Sequence, residues 1–207
     1  MSSRNASIPA AGAAVVLAAT LGTPAALAAG TWTIQPGGGI QAASGLSTVA
    51  DPRTGTDLRC ASSSASGTLK SGSGLPGFHA GSLSAASFAA CSSPVIFRLR
   101  AGGLPWHLNL SSYNAATGVA WGTLSHIHLA MSGSGCNAPI DGTSAADDGR
   151  VVVRYTDSTG RLKVLTTGSN LHFHHVGSGC LGIVNDGDPA ALHATYTVTP
   201  EQAITSP

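Results

Sequence analysis

The 207-residue chain carries few charges: Asp, Glu, Lys and Arg make up only 9% of it, and its formal net charge is +1 at pH 7. The charged residues are scattered along the sequence, without a basic stripe or interleaved basic and aromatic residues. This pattern argues against a nucleic-acid partner and against electrostatic binding to membranes. Surface helices usually carry many Glu, Lys and Arg side chains, so the composition also argues against a helical fold.

The first 28 residues have the pattern of a secretory signal peptide. Arg4 gives a positive start, residues 8–22 are apolar, and Ala26-Leu27-Ala28 supplies the small residues that precede a cleavage site. The apolar run is too short and too rich in Ala and Gly for a good membrane-spanning helix. We therefore expect residues 1–28 to be removed and residues 29–207 to form a single extracellular domain, which is long enough to bury a core of its own.

Apolar and polar side chains alternate along much of the remaining chain, as they do in strands with one buried face. The first such run, residues 31–36, places Trp32 and Ile34 on one face, and the last run, 195–200, does the same with Tyr196 and Val198. Further strands are predicted over 84–90, 94–101, 105–112, 119–131, 150–156, 161–166 and 170–176, with turn residues between them. This pattern predicts an all-β fold, an antiparallel β-sandwich or flattened barrel, without a helix of three turns.

Four cysteines are present, at Cys60, Cys91, Cys136 and Cys180. An even number in an exported chain predicts two disulfides formed in an oxidising compartment, for which three pairings are possible. We favour Cys60–Cys91 and Cys136–Cys180, because each closes a loop of moderate length and because the second pair ends two similar segments, 113–136 and 155–180. The cysteines lack CxxC spacing, which disfavours a zinc knuckle or a redox motif.

Two predicted strands carry histidine at alternate positions: His126 and His128 in the first, His172 and His174 in the second. The large apolar side chains between them are expected to face the core, so both pairs are expected to face solvent. Two imidazoles two residues apart on a strand lie roughly 6.6–7 Å apart at Cα, and they can bind zinc or copper if a neighbouring strand supplies a third ligand. These four histidines are the candidate metal ligands, and His107 is a candidate fifth member.

Adventitious metal affinity and plain solvent-facing histidines are the two other interpretations, because metal sites usually need outer partners that fix the ligands. Asp186 and Asp188 are candidates for that role, although a turn also accounts for them. Asp147 and Asp148 lie in a loop that is expected to be solvated, since it lacks the ligand spacing of a calcium-binding EF-hand. His79 looks isolated and is not expected to form a site.

No group of residues has the arrangement of a catalytic centre, so neither catalytic residues nor a resident cofactor are predicted. Serine lacks a Gly-x-Ser-x-Gly context, and the single glutamate, Glu201, lies in the C-terminal tail. An outward aromatic residue could bind a sugar ring. Trp121 is the candidate, but its alternation with Ile127 places it in the core if no bulge intervenes.

Three functional hypotheses follow from these patterns. The first is a secreted, non-enzymatic binding or structural protein of the cell envelope. The second is an extracellular protein that binds zinc or copper through the histidine pairs. The third is a carbohydrate- or cell-wall-binding module, whose partner would be a wall polysaccharide or another secreted protein.

Several strings of the sequence are distinctive when taken together: GTWTIQPGG at the start, GLPWHLNLSSYNAATGV at 103–119, LKVLTTGSNLHF at 162–173 and GCLGIVNDGD at 179–188. They resemble a group of small secreted proteins of filamentous actinobacteria. The resemblance covers residues 31–207 and implies export, an all-β fold and two disulfides. It supplies no activity and no catalytic residue, and the histidine pairs are not among the features that define it.

Overall fold

The structure is a computed structural model that describes residues 31–92 and 95–207, so the predicted signal peptide lies outside the described residues. The strands are β1 (Thr31–Gln35), β2 (Gly38–Ser44), β3 (Ser47–Asp51), β4 (Thr56–Leu69), β5 (Gly72–Pro76), β6 (Gly81–Ser92), β7 (Arg98–Gly102), β8 (Trp106–Asn114), β9 (Val119–Gly133), β10 (Cys136–Asp141), β11 (Gly149–Thr156), β12 (Arg161–Leu165), β13 (His172–Phe173), β14 (Ala191–Thr199) and β15 (Ala203–Thr205). Short 3₁₀ turns occur at Asp157–Thr159 and Ser178–Cys180. Within these ranges the chain forms no helix of the length and apolarity needed to cross a membrane.

Eight antiparallel strands close into a barrel. Their order around the wall is β2, β4, β6, β8, β9, β11, β12 and β14, and the pairing of β14 with β2 completes the ring. Closure removes the unpaired edges that an open sheet would expose. The predicted all-β fold is therefore confirmed, and the barrel is the form that it takes.

The longest strands continue beyond the barrel and carry a second layer of pairing. β4 and β9, with 14 and 15 residues, extend past the ring. There β3 joins β4 and β14, β7 lies between β6 and β9, and β10 and β13 follow outward from β9. β1, β5 and β15 form a separate three-stranded sheet in the order β15-β1-β5.

Both predicted disulfides are confirmed. Cys60–Cys91 joins directly opposed residues of β4 and β6, and Cys136–Cys180 ties the start of β10 to the second 3₁₀ turn. Both bonds therefore lie in the extension beyond the ring.

Apolar side chains fill the interior of the barrel. Ile40, Leu83, Leu124, Leu162 and Val198 meet there, and the two voids left among them measure about 40 Å³ each. An eight-stranded barrel is narrow enough for its side chains to fill it. The interior is therefore a packed core, and the candidate functional residues lie on the outside.

The side-chain alternation of β9 reverses at a β-bulge. Leu124 is buried before the bulge and Ile127 after it, and the register with β11 shifts between these positions. The extra residue is His126, whose backbone has a φ of +66°. Uninterrupted alternation was the wrong expectation here, because one inserted residue moves every later side chain to the opposite face.

The bulge also changes the position of Trp121. The prediction that Trp121 belongs to the core is wrong, because the residue pairs with Arg154 of β11 on the outer face. The guanidinium carbon of Arg154 lies 5.7 Å from the centroid of the Trp121 ring. Both side chains are half-buried against each other, in a cation–π arrangement.

Candidate metal-binding site

His126, His128 and Asp148 come together on the outside of β9, and we call this group the His–Asp cluster. Nδ1 of His126 lies 2.9 Å from one carboxylate oxygen of Asp148, and Nε2 of His128 lies 3.2 Å from the other. One ligand atom from each residue can be chosen so that all three lie within 4.8 Å of one another. Two imidazole nitrogens and one carboxylate oxygen form a ligand set that zinc and copper(II) accept.

The cluster forms at the point along β9 where the strands paired with it change on both sides. On one side β7 ends and β8 begins, and residues 103–105 connect them. On the other side β10 ends and β11 begins, and the loop 142–148 connects those strands. Both connections therefore pass His126 and His128, and the second one brings Asp148 to them.

Asp141, the last residue of β10, fixes the ring of His128. One of its carboxylate oxygens lies 2.5 Å from Nδ1 of His128, and only 14% of the Asp141 side chain is exposed. With Nδ1 held by this carboxylate, Nε2 faces Asp148: it donates a hydrogen bond to Asp148 when it is protonated, and it presents a lone pair to an ion when it is not. Metal-ligating histidines are usually oriented by a carboxylate in this way.

The aspartates that the sequence suggested for this orienting role lie elsewhere. Asp186 accepts a hydrogen bond from the backbone N–H of Val176, and Asp188 forms an ion pair with Arg53. They stabilise the turn before β14. Asp148, expected to be merely solvated, is instead the carboxylate of the cluster.

Asp148 is stabilised in its ionised form. The hydrogen bond from His126 lowers the pKa of the Asp148 carboxyl below its ordinary value, and the hydrogen bond from His128 acts in the same direction. The carboxylate is therefore charged at neutral pH, as a metal ligand has to be.

The backbone around the cluster allows a close approach to His128. Gly103 has a φ of +64°, and a Cβ atom at this position would lie 2.1 Å from Cδ2 of His128. The ring centroids of His126 and His128 are 5.4 Å apart and their planes are perpendicular. Only a glycine at position 103 leaves room for the His128 ring in this arrangement.

A row of rings extends from the cluster along the surface. The centroid of His107 lies 6.1 Å from that of His126, so His107 is a neighbour of the first pair, and its role as a metal ligand stays a prediction. His79 stacks on His107 at 4.2 Å and on Phe78 at 3.9 Å. The prediction that His79 is isolated is therefore wrong. Desolvation and the neighbouring His107 lower the pKa of His79.

His172 and His174 lie on the other side of β10. His172 pairs with Asp141, so β10 separates the two histidine-bearing strands. Nδ1 of His172 donates to the carbonyl of Asn170, and Nε2 of His174 donates to the carbonyl of Gly142, both at 2.9 Å. In the described part of the chain, the His–Asp cluster does not include these two residues. A single ion shared by all four histidines stays a prediction.

The fold and the cluster define a disulfide-bonded antiparallel β-barrel with two histidines and an aspartate grouped on its outer surface. No protein-family model, curated protein or solved structure matches the chain. The resemblance to secreted actinobacterial proteins therefore stays a prediction, and the functional argument depends on the residues themselves.

Proposed function

We propose that the protein acts outside the cell as a non-enzymatic binding protein, and that it binds a zinc or copper(II) ion at the His–Asp cluster. The observation that carries this proposal is the contact between Asp141 and Nδ1 of His128, because it orients Nε2 toward the carboxylate of Asp148. The two disulfides support an oxidising, extracellular location.

The three side chains would hold the ion and leave part of its coordination shell open. Zinc takes histidine nitrogens at about 2.0–2.1 Å and carboxylate oxygens at about 2.0–2.2 Å, so small rotations of the rings would suffice to close around it. The side chains of His126 and Asp148 are 44% and 56% exposed, so an ion could enter from solvent without unfolding the barrel. A water molecule or His107 would occupy a fourth position.

Calorimetric titration tests the proposal. The purified secreted protein is stripped of metal with a chelator, dialysed and titrated near neutral pH with Zn²⁺ and, separately, with Cu²⁺. We expect about one ion per chain and a Kd on the order of 1 μM or tighter, given two imidazoles and one carboxylate as ligands. His126→Ala and Asp148→Asn each remove a ligand and should weaken binding by at least about tenfold.

The second histidine pair and the neighbouring aspartate provide matched controls. His174→Ala removes an imidazole from the other His-x-His pair, and Asp147→Asn removes a carboxylate from the same loop as Asp148. Neither should change the Kd by more than about twofold, because neither side chain supplies a ligand: His174 donates to the carbonyl of Gly142, and Asp147 accepts from the N–H of Ser144. Binding that is weaker than about 10 μM, or that depends on His174 rather than His126, would overturn the assignment.

A further inference from the structure

The hairpin of β11 and β12 gathers positive charge on the outside of the barrel. Arg150 and Arg154 of β11, and Arg161 and Lys163 of β12, all lie on its outer face, because the residues that alternate with them line the interior. We call these four residues the basic face. They account for four of the ten Lys and Arg residues in the chain. The charges that are scattered in the sequence are thus concentrated by the fold.

The basic face holds like charges next to one another. Arg154 is directly opposite Lys163, and Arg161 is opposite Thr156. Like charges directly opposite each other destabilise a pair of strands. None of the four residues forms an ion pair with a partner in residues 31–92 or 95–207. The fold therefore presents unneutralised charge to solvent, as expected of a surface that meets an anion.

Apolar groups lie among these charges. Val152 and Leu165 form a half-exposed pair between the level of Arg150 and that of Arg154. Trp121 of β9 is opposite Arg154 on the side away from Lys163, so the three side chains form a row across three strands. A sugar polymer offers both apolar C–H faces and polar groups along its length, so this alternation of apolar and cationic side chains matches a glycan better than it matches a simple anion.

The shape of the basic face favours an extended ligand. Arg150 and Arg154 are four residues apart on one strand, or roughly 14 Å, and the neighbouring strand adds about 5 Å in the other direction. The surface is the outer wall of a barrel and has no enclosing walls. The Arg154 guanidinium lies over the Trp121 ring, so neither a base nor a sugar ring stacks on that face, and an anionic polymer would be held by the cationic side chains and by the exposed edges of the apolar ones.

We propose that the basic face binds an anionic polysaccharide, with Arg150, Arg154, Arg161 and Lys163 contacting its carboxylate or sulfate groups. The basic face begins two residues after Asp148 of the His–Asp cluster, and binding to it does not require a bound metal. It would attach the secreted protein to an acidic polymer outside the cell.

Affinity electrophoresis or biolayer interferometry of the full secreted protein tests this proposal. The probes are polygalacturonate and dextran sulfate, compared with neutral dextran and with single-stranded DNA. A chelator is present throughout, so that the metal site stays empty and no divalent ion bridges the protein to the polymer. We expect binding to at least one acidic polysaccharide, no binding to dextran, and binding to DNA that is at least fivefold weaker.

Two double variants with the same change in net charge decide whether the basic face is the site. Arg154→Gln/Lys163→Gln should weaken binding at least tenfold. The single variant Arg154→Lys, which keeps the charge and leaves Lys163 in place, should keep most of the binding. Arg98→Gln/Arg100→Gln on β7 should change binding less than twofold. Thermal unfolding of each variant verifies the fold. Equal weakening by both double variants, equal binding of DNA, or no binding to either acidic polysaccharide would overturn the proposal.

Discussion

Asp141 offers the sharpest test of the metal site, because it would support a ligand without being one. Asp141→Asn preserves the size of the side chain and the backbone pairing with His172 on β13. It replaces an anionic acceptor for Nδ1 of His128 with a neutral amide. The ligand atoms of the His–Asp cluster are left in place.

The size of the effect follows from the hydrogen bond that is weakened. A hydrogen bond to a charged group contributes about 1.5–3 kcal/mol, and one between neutral groups about 0.5–1.5 kcal/mol. The difference of about 1–1.5 kcal/mol corresponds to a loss of roughly tenfold in affinity. This estimate lies at the lower end of the 10–100-fold range that is typical of orienting residues around metal ligands.

A competition titration against a chromophoric zinc chelator measures this change. The Kd of Asp141→Asn should be about tenfold higher than that of the unsubstituted protein, and His128→Ala should lose more affinity because it lacks the ligand itself. Asp147→Asn serves as the matched control for the loss of one carboxylate. If Asp141→Asn binds zinc as tightly as Asp147→Asn does, the contact between Asp141 and His128 does not support a metal ligand, and the main argument for the site fails.

Three further predictions concern the frame around the site. Gly103→Ala should weaken zinc binding, because the new Cβ would displace the ring of His128; unchanged affinity would contradict this. Replacing Cys136 and Cys180 together by Ala should lower the free energy of unfolding by up to about 4 kcal/mol, since their separation is 44 residues, and an unchanged Tm would refute this estimate. Burial raises the pKa of Tyr196, so its contribution to stability is present below about pH 10 and is lost as the pH rises further. Tyr196→Phe should therefore flatten the alkaline loss of stability measured by urea unfolding, and an equally steep loss would show that Tyr196 is not its source.

The sequence predicts those strands whose apolar residues alternate clearly, and it fails where the barrel uses small polar ones. β1, β8 and β14 were expected from alternation. β4 was missed, because its sequence TDLRCASSSASGTL is mostly Ser, Ala and Thr. Such a segment becomes a strand because it is paired along both sides, with β2 and β3 on one and β6 on the other. That pairing is a property of the closed barrel and is not visible in the local pattern.

The candidate site was predictable only in part, for a similar reason. The alternation of His126 and His128 with large apolar residues indicates their outward position, which the structure confirms. Asp148 lies 20 residues from His128 in sequence. Its loop reaches the histidines because β10 and β11 both pair with β9, and the loop that joins these two strands passes the same point of β9. Asp141 is the last residue of β10, a strand that the alternation did not predict, so nothing in the sequence places it beside His128.

The bulge in β9 connects the architecture of the barrel with the chemistry proposed for it. β9 first closes the ring between β8 and β11 and then pairs with β7 and β10, and the extra residue is accommodated at this change of neighbours. A non-glycine residue with a positive φ costs on the order of 1–3 kcal/mol. Glycine would fit position 126 at lower cost, yet the chain carries histidine there with a φ of +66°. Positive φ angles also occur at Ala90, Ser134 and Leu181, outside the cluster, so the backbone of His126 is compatible with the proposed metal site and does not by itself require it.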